Sequence, residues 1–66
     1  MYYFNARDKI KFINKSQFAK ELGVSASYIN QVLNQRIHCS KLLAYCITKK
    51  LDENAEISDY FIMKNN

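Results

Sequence analysis

The stretch from Lys15 to Gln35 constrains the fold of this chain more than any other part of its sequence. A small residue at Ala19 allows a second helix to approach closely, and Gly23, the only glycine, can adopt the positive φ that ends a first helix. Apolar residues follow at the spacing that holds the second helix against the first: Val24, Ile29 and Val32. The stretch therefore predicts a helix-turn-helix unit, in which one helix is exposed on a rigid frame.

The length of the chain limits it to one domain. A chain of 66 residues buries only a modest part of its unfolded surface, roughly 60%, which favours a compact helical fold. The longest apolar runs, Met1–Phe4 and Tyr60–Met63, are too short for a signal peptide or a membrane span. We therefore expect a single helix-turn-helix domain over residues 1–66 that is soluble and cytoplasmic.

Capping signals divide the chain into five short helices. Each begins at a polar residue whose side chain can accept a hydrogen bond from the first helical turn. The predicted starts are, in chain order, Asn5, Asn14, Ser25, Ser40 and either Asn54 or Ser58. The predicted ends are Ile13, Gly23, Asn34, Leu51 and Met63. The sequence therefore predicts an all-α, five-helix fold whose second and third helices form the helix-turn-helix.

Apolar spacing predicts the buried sides of the outer helices. In the fourth helix, Leu43, Ile47 and Leu51 recur at every fourth position, with Cys46 beside them. In the first helix the predicted core residues are Ile10 and Ile13, with either Ala6 or Phe12. In the fifth helix they are Ile57 and Phe61.

The aromatic residues Tyr2, Tyr3 and Phe4 have three possible placements: packing under the helices, a short extended arm, or association with another chain. Packing is favoured, because three exposed aromatic side chains on a small protein promote aggregation.

The two cysteines do not predict a metal site or a disulfide. Cys39 and Cys46 lie seven positions apart with only His38 nearby, which is not a zinc-binding spacing. Disulfides are also rare in cytosolic proteins. We expect Cys46 to be a small core residue and Cys39 to be a thiol in a loop.

Charge is distributed unevenly along the chain. Residues 1–51 hold nine Lys and Arg against two acidic residues, a balance of +7, and residues 52–66 hold one Lys against four acidic residues, a balance of −3; the two sum to the net +4. A basic body with an acidic end suits a polyanionic partner on one face. Charge alone favours this interpretation no more than an unevenly charged, solvated surface.

The third predicted helix has an outward face without charge, since no ionised side chain occurs between Leu22 and Gln35. At 100° per residue its apolar residues share one side, and amides and hydroxyls share the other. Asn and Gln can bond adenine bidentately, Ala can contact the thymine methyl group, and Ser can bond either base type. The predicted base-reading residues are Ala26, Ser27, Tyr28, Asn30 and Gln31. The alternative is an uncharged surface helix without a ligand.

Candidate phosphate-binding residues flank this helix. Those at the start of the second helix combine side chains with exposed backbone N–H groups and the positive end of the helix dipole. The predicted phosphate-binding residues are Lys15, Ser16, Gln17, Asn34, Gln35, Arg36, His38 and Lys41. Phosphate contacts would supply affinity and its salt dependence, and base contacts would supply sequence preference.

Nothing in the sequence supports catalysis. The chain has one His, no nucleophile with an adjacent base and no Gly-rich phosphate loop, and its carboxylates cluster only in residues 52–59, which is typical of a solvated helix rim. We expect no enzymatic activity, no cofactor and no metal.

From Asn14 onward the chain resembles the lambda-repressor-like, Cro-type (Xre-family) helix-turn-helix regulators of bacteria and their phages. The resemblance is carried by FAKELGVSASYINQVLNQR and, further on, by SKLLAYCITKKLDENAEISDYF. It implies that Ala26, Ser27 and Gln31, together with Asn30, read bases. It also implies that Lys15, Gln17, Asn34 and Arg36 bind phosphates.

The chain departs from that family in two places. Many members have Gly after the recognition helix, where this chain has Gln35, so the loop that follows is expected to take a different path. Ala26 and Ser27 are shorter than the usual base-reading residues, so direct readout is expected to be sparse and supplemented by DNA shape.

These features predict a small Cro-like transcriptional regulator, a phage or prophage repressor, that inserts its third helix into the major groove of a double-stranded DNA operator. We expect a homodimer on two half-sites about 34 Å apart. Candidate dimer contacts, which could equally be core, are Tyr60, Ile62 and Met63. Two alternatives remain: a protein-binding, antirepressor- or antitoxin-like module on the same frame, and a non-specific architectural DNA binder.

Overall fold

A computed structural model describes residues 1–10 and 13–64. Within these residues the chain forms three α-helices and a two-stranded antiparallel sheet. In chain order the elements are β1 (Tyr2–Phe4), α1 (Lys15–Leu22), α2 (Ala26–Leu33), α3 (Lys41–Leu51) and β2 (Phe61–Met63). Two short 3-10 turns complete it, at Arg7–Ile10 and Ile57–Asp59.

The prediction of five α-helices in an all-α fold is wrong at both ends of the chain. The described residues of the predicted first helix contain one 3-10 turn, at Arg7–Ile10, and its Phe12 lies outside the described residues. The predicted fifth helix is a 3-10 turn at Ile57–Asp59 that leads into β2. Aromatic and branched side chains in Tyr2–Phe4 and Phe61–Met63 favour strands. The pairing of these two segments fixes both ends of the described chain as a sheet.

The sheet joins the two ends of the described chain. Tyr2 pairs with Met63, Tyr3 with Ile62, and Phe4 with Phe61. The ring of Phe4 is fully buried and meets that of Phe61 edge-on, with the centroids 5.3 Å apart. Packing, the favoured placement of the N-terminal aromatic residues, is therefore confirmed for Phe4, within an extended strand whose two tyrosines are half-buried.

The three predicted caps of the central helices are confirmed. In each case the third helical residue donates its backbone N–H to the capping side chain. The bonds are Gln17 to Asn14 (3.0 Å), Tyr28 to Ser25 (3.0 Å) and Leu43 to Ser40 (3.2 Å). Local sequence therefore determines where α1, α2 and α3 begin.

The turn between α1 and α2 has the predicted geometry. Gly23 has φ of 79°, and a Cβ atom at this position would meet no atom within 4 Å, so the glycine is needed for its backbone conformation rather than for space. The backbone N–H of Val24 donates to the carbonyl of Ala19 at 3.1 Å. Ala19, Ile29 and Val32 are buried between the helices, as predicted. The helix-turn-helix unit is present.

The placement of the two cysteines is the reverse of the prediction. Cys39 is buried beside β1, where its backbone exchanges two hydrogen bonds with that of Tyr2, and Cys46 is exposed on α3. The neighbouring Ile47 and Thr48 occupy the buried side of α3 instead. Cys39 was not recognised as a core residue because β1 was not predicted.

None of the helices in the described part of the chain is long and apolar enough to cross a membrane.

Candidate nucleic-acid interface

The outward face of α2 is formed by polar side chains because its apolar residues are committed to the core. Ile29, Val32 and Leu33 are fully buried, which turns the opposite side of the helix to solvent. The predicted base-reading residues are exposed except Tyr28, which is half-buried against the core: Ala26, Ser27, Asn30 and Gln31. Four of the five candidates therefore share one accessible surface.

A polar cluster connects this face to the start of α1. The Lys15 ammonium donates to Oδ1 of Asn30 at 3.3 Å. The side-chain Nδ2 of Asn34 donates to the same Oδ1 at 3.1 Å and to the backbone carbonyl of Asn30 at 2.8 Å. Two predicted phosphate-binding residues thus contact a predicted base-reading residue. We call Lys15, Asn30 and Asn34 the Asn30 cluster.

The remaining candidates at the start of α1, Ser16 and Gln17, are exposed. The Gln17 amide donates to the Glu21 carboxylate at 3.1 Å, and that carboxylate also forms an ion pair with Lys50. The hydrogen bond from Lys50, followed by that from Gln17, lowers the pKa of Glu21. The Gln17 side chain therefore points along α1 toward Glu21.

Gln35 and Arg36 lie directly after α2. Gln35 has φ of 64°, in the left-handed region that favours glycine, and its amide donates to Oδ1 of Asn5 at 3.4 Å. The backbone N–H of Arg36 closes the end of the helix on the carbonyl of Gln31 at 2.9 Å, and its side chain is exposed. These two residues flank the C-terminal end of the α2 face.

His38 and Lys41 are placed against other elements. The His38 ring lies 5.8 Å from that of Tyr3 on β1. Lys41 lines a cavity of about 450 Å³ between α3 and the sheet, together with Tyr2, Tyr45 and Met63. The predicted phosphate-binding residues therefore do not form one continuous group.

Sequence reasoning missed two features of this surface. The contact between Lys15 and Asn30 depends on how α1 crosses α2, which spacing along one helix does not encode. The cavity beside α3 had a signal in the sequence, because Lys41, Tyr45 and Lys49 recur at every fourth position on a helix face that is exposed or half-exposed.

The titratable and metal-ligating groups do not suggest a different chemistry. Burial raises the pKa of the Cys39 thiol to about 11, so this sulfur stays protonated at neutral pH. Within residues 1–10 and 13–64, no three His, Cys, Asp or Glu side chains are grouped as a metal site would require.

A scan against models of known protein families and searches of curated proteins and of solved structures found no match to this chain.

Proposed function

We propose that the protein binds double-stranded DNA sequence-specifically through α2 and acts as a small Cro-like transcriptional regulator in the bacterial cytoplasm. The observation that carries this proposal is the exposed, uncharged, amide-rich face of α2 on a buried frame. A solvated helix without a ligand usually carries Lys or Glu on its outer face. Amides and hydroxyls instead match the donors and acceptors of base edges.

The dimensions of α2 suit the major groove. An α-helix with its side chains is about 10–12 Å across, and the major groove is about 12 Å wide. Ser27, Asn30 and Gln31 would face the base edges. Tyr28 is half-buried and would contact the DNA only at the margin of the interface.

Phosphate binding is assigned to residues at the two ends of the α2 face. Ser16 and the first backbone N–H groups of α1 offer donors at one end, with the positive charge of Lys15 beside them. Arg36 offers an exposed guanidinium at the other end. These contacts would fix α2 in the groove and make binding sensitive to salt.

The proposal includes a homodimer that pairs through β2. In the described part of the chain β2 pairs with β1 alone, and Ile62 and Met63 are exposed on it. Tyr60 is half-buried and stacks against Phe4, so it belongs to the core of one subunit. A two-fold axis at the β2 edge would pair this strand with its copy and present two α2 helices to successive half-sites.

A protein-binding function is the second candidate. The apolar residues around the α3 cavity favour it, since Tyr45 is 51% and Met63 60% exposed. The two functions differ in their response to salt. DNA binding that neutralises several phosphates weakens by orders of magnitude over a modest rise in salt, whereas docking of a protein on an apolar surface does not.

Selection of bound duplexes from a random DNA pool, at about 150 mM salt, tests the proposal. Enrichment of a palindrome supports a sequence-specific dimer, and enrichment of a single half-site supports a sequence-specific monomer. If no duplex is enriched, specific DNA binding is rejected, and capture of a partner protein by the intact chain becomes the next experiment.

A further inference from the structure

The amide of Asn30 is held in one orientation by its neighbours. Lys15 is an ammonium and can only donate, so the atom of Asn30 that faces it is the carbonyl oxygen Oδ1, at 3.3 Å. Asn34 donates to the backbone carbonyl of Asn30 at 2.8 Å, which fixes its own Nδ2 toward Asn30. The same Nδ2 then meets Oδ1 at 3.1 Å. Both neighbours therefore require the same orientation of the Asn30 amide.

This arrangement leaves Asn30 with donors only. An amide oxygen has two lone pairs, and Oδ1 accepts two hydrogen bonds within the cluster. The Nδ2 group retains its two N–H donors on the exposed face of α2, and the Lys15 ammonium has further N–H donors beside it. Lys15 and Asn34 are both half-buried.

A donor-only group discriminates between purines. In the major groove guanine presents two acceptors, N7 and O6, whereas adenine presents the acceptor N7 and the N6 amino donor. An asparagine that bonds adenine bidentately needs its oxygen for N6. Asn30 could do this only by turning its amide and losing both bonds of the cluster.

We infer that Asn30, oriented by Asn34 and Lys15, selects guanine rather than adenine at one position of the DNA site. The inference rests on the proposed function and specifies the base that one residue of the site recognises. It replaces the general expectation that asparagine pairs with adenine. Asn34 and Lys15 are positioning residues here, because they act through the Asn30 amide.

The test measures affinities for the duplex obtained by selection and for versions with each base pair exchanged. With the wild-type protein, replacing guanine by adenine at the position read by Asn30 should weaken binding roughly tenfold. With Asn30→Ala, discrimination should disappear at that position and persist at the others. Gln31→Ala is the matched control, and it should relax a different position.

Variants of Asn34 and Lys15 show whether these residues orient the Asn30 amide or only stabilise the fold. Asn34→Ala should bring the guanine-to-adenine affinity ratio toward one at the Asn30 position alone. Lys15→Met should also lower this ratio, whereas Lys15→Arg, which retains charge and donors, should preserve it. Thermal unfolding of each variant identifies any that fail to fold, and the two positions provide independent tests.

Each outcome bears on the inference. Adenine at the position that Asn30→Ala relaxes overturns it and leaves the proposed function intact. An unchanged guanine-to-adenine affinity ratio in both Asn34→Ala and Lys15→Met also overturns it, because a residue that only supports the helix or binds phosphate weakens binding to all duplexes equally. Failure of the wild-type protein to enrich any duplex overturns the proposed function and the inference together.

Discussion

At the scale of single residues, Gln35 has a backbone conformation that its side chain does not favour. Its φ of 64° brings Cβ close to the following carbonyl, a contact that glycine avoids. We expect Gln35→Gly to raise the free energy of unfolding by about 0.5–1 kcal/mol, because relief of this strain exceeds the added entropy of the unfolded chain. Urea denaturation measures the change. Gln35→Ala keeps Cβ and serves as the control, and a gain of the same size in that variant would contradict the explanation.

Thr48 places a hydroxyl in the core without a visible partner. Its side chain is fully buried on α3, and its Oγ1 has no hydrogen bond among the described residues. Thr48→Val should therefore stabilise the fold by about 1 kcal/mol, since it removes a desolvated polar group and keeps nearly the same shape. Thr48→Ser keeps the hydroxyl and loses the methyl group, so it should destabilise. A Val variant that unfolds at lower urea concentration than the wild type would show that the hydroxyl is satisfied.

The two thiols should differ in reactivity. Cys46 is exposed, whereas Cys39 is buried and its pKa is raised to about 11, so little of it is thiolate at pH 8. Iodoacetamide should label Cys46 alone in the native protein and both thiols in denaturant, with Cys46→Ser as the control that removes native labelling. Mass spectrometry of the digest gives the sites, and rapid native labelling of Cys39 would refute its burial.

The raised pKa of Cys39 also affects the stability of the protein at high pH. The folded state holds the Cys39 proton more tightly than the unfolded chain, whose thiol titrates near pH 9.0. The Cys39 thiol makes its full contribution to the free energy of unfolding below pH 9.0, and this contribution decreases as the pH rises through about 11. Cys39→Ala should remove this part of the alkaline decline.

At the scale of elements, features that depend on residues close in sequence could be predicted, whereas features that depend on residues far apart in sequence could not. Asn14, Ser25 and Ser40 cap their helices through bonds three residues away, so they could be identified from local sequence. The pairing of Phe4 with Phe61 joins opposite ends of the described chain. Three-residue strands are too short for their alternation to identify them.

The same distinction between local and long-range features applies to the candidate site. The outward face of α2 follows from helical periodicity, which identified four exposed residues of this face and also Tyr28, which is half-buried. The bond between Lys15 and Asn30 depends on the crossing of two helices, so sequence placed these residues in separate groups. Tertiary packing thus determines how Asn30 presents its amide.

The packing of α2 in the core depends on its fully buried residues. Ile29→Ala should lower the free energy of unfolding by about 2–5 kcal/mol, because it removes buried apolar volume and leaves a cavity. This is a large share of the stability of a small domain. Thermal unfolding followed by circular dichroism measures it, with the exposed Ser27→Ala as the control. Similar midpoints for the two variants would contradict the buried position of Ile29.

At the scale of the whole molecule, the proposed interface separates sequence preference from general affinity. Gln31→Ala should weaken specific binding by about 1–3 kcal/mol and leave binding to random DNA nearly unchanged, since Gln31 would contact a base edge. Arg36→Ala should weaken binding to all sequences and reduce the slope of log affinity against log salt by about 1. Titrations on specific and random duplexes at several salt concentrations measure both effects. Equal loss on both duplexes for Gln31→Ala would remove its assigned role.

The pairing of β1 with β2 also affects how the protein is completed during synthesis. Translation produces β1 first, yet its partner strand follows only after the three helices have been made. The contacts between α1 and α2 are close in sequence and can form earlier. The core around Phe4 can therefore be completed only after Phe61 has been synthesised. A chain truncated before β2 would therefore expose α2 on an incomplete core.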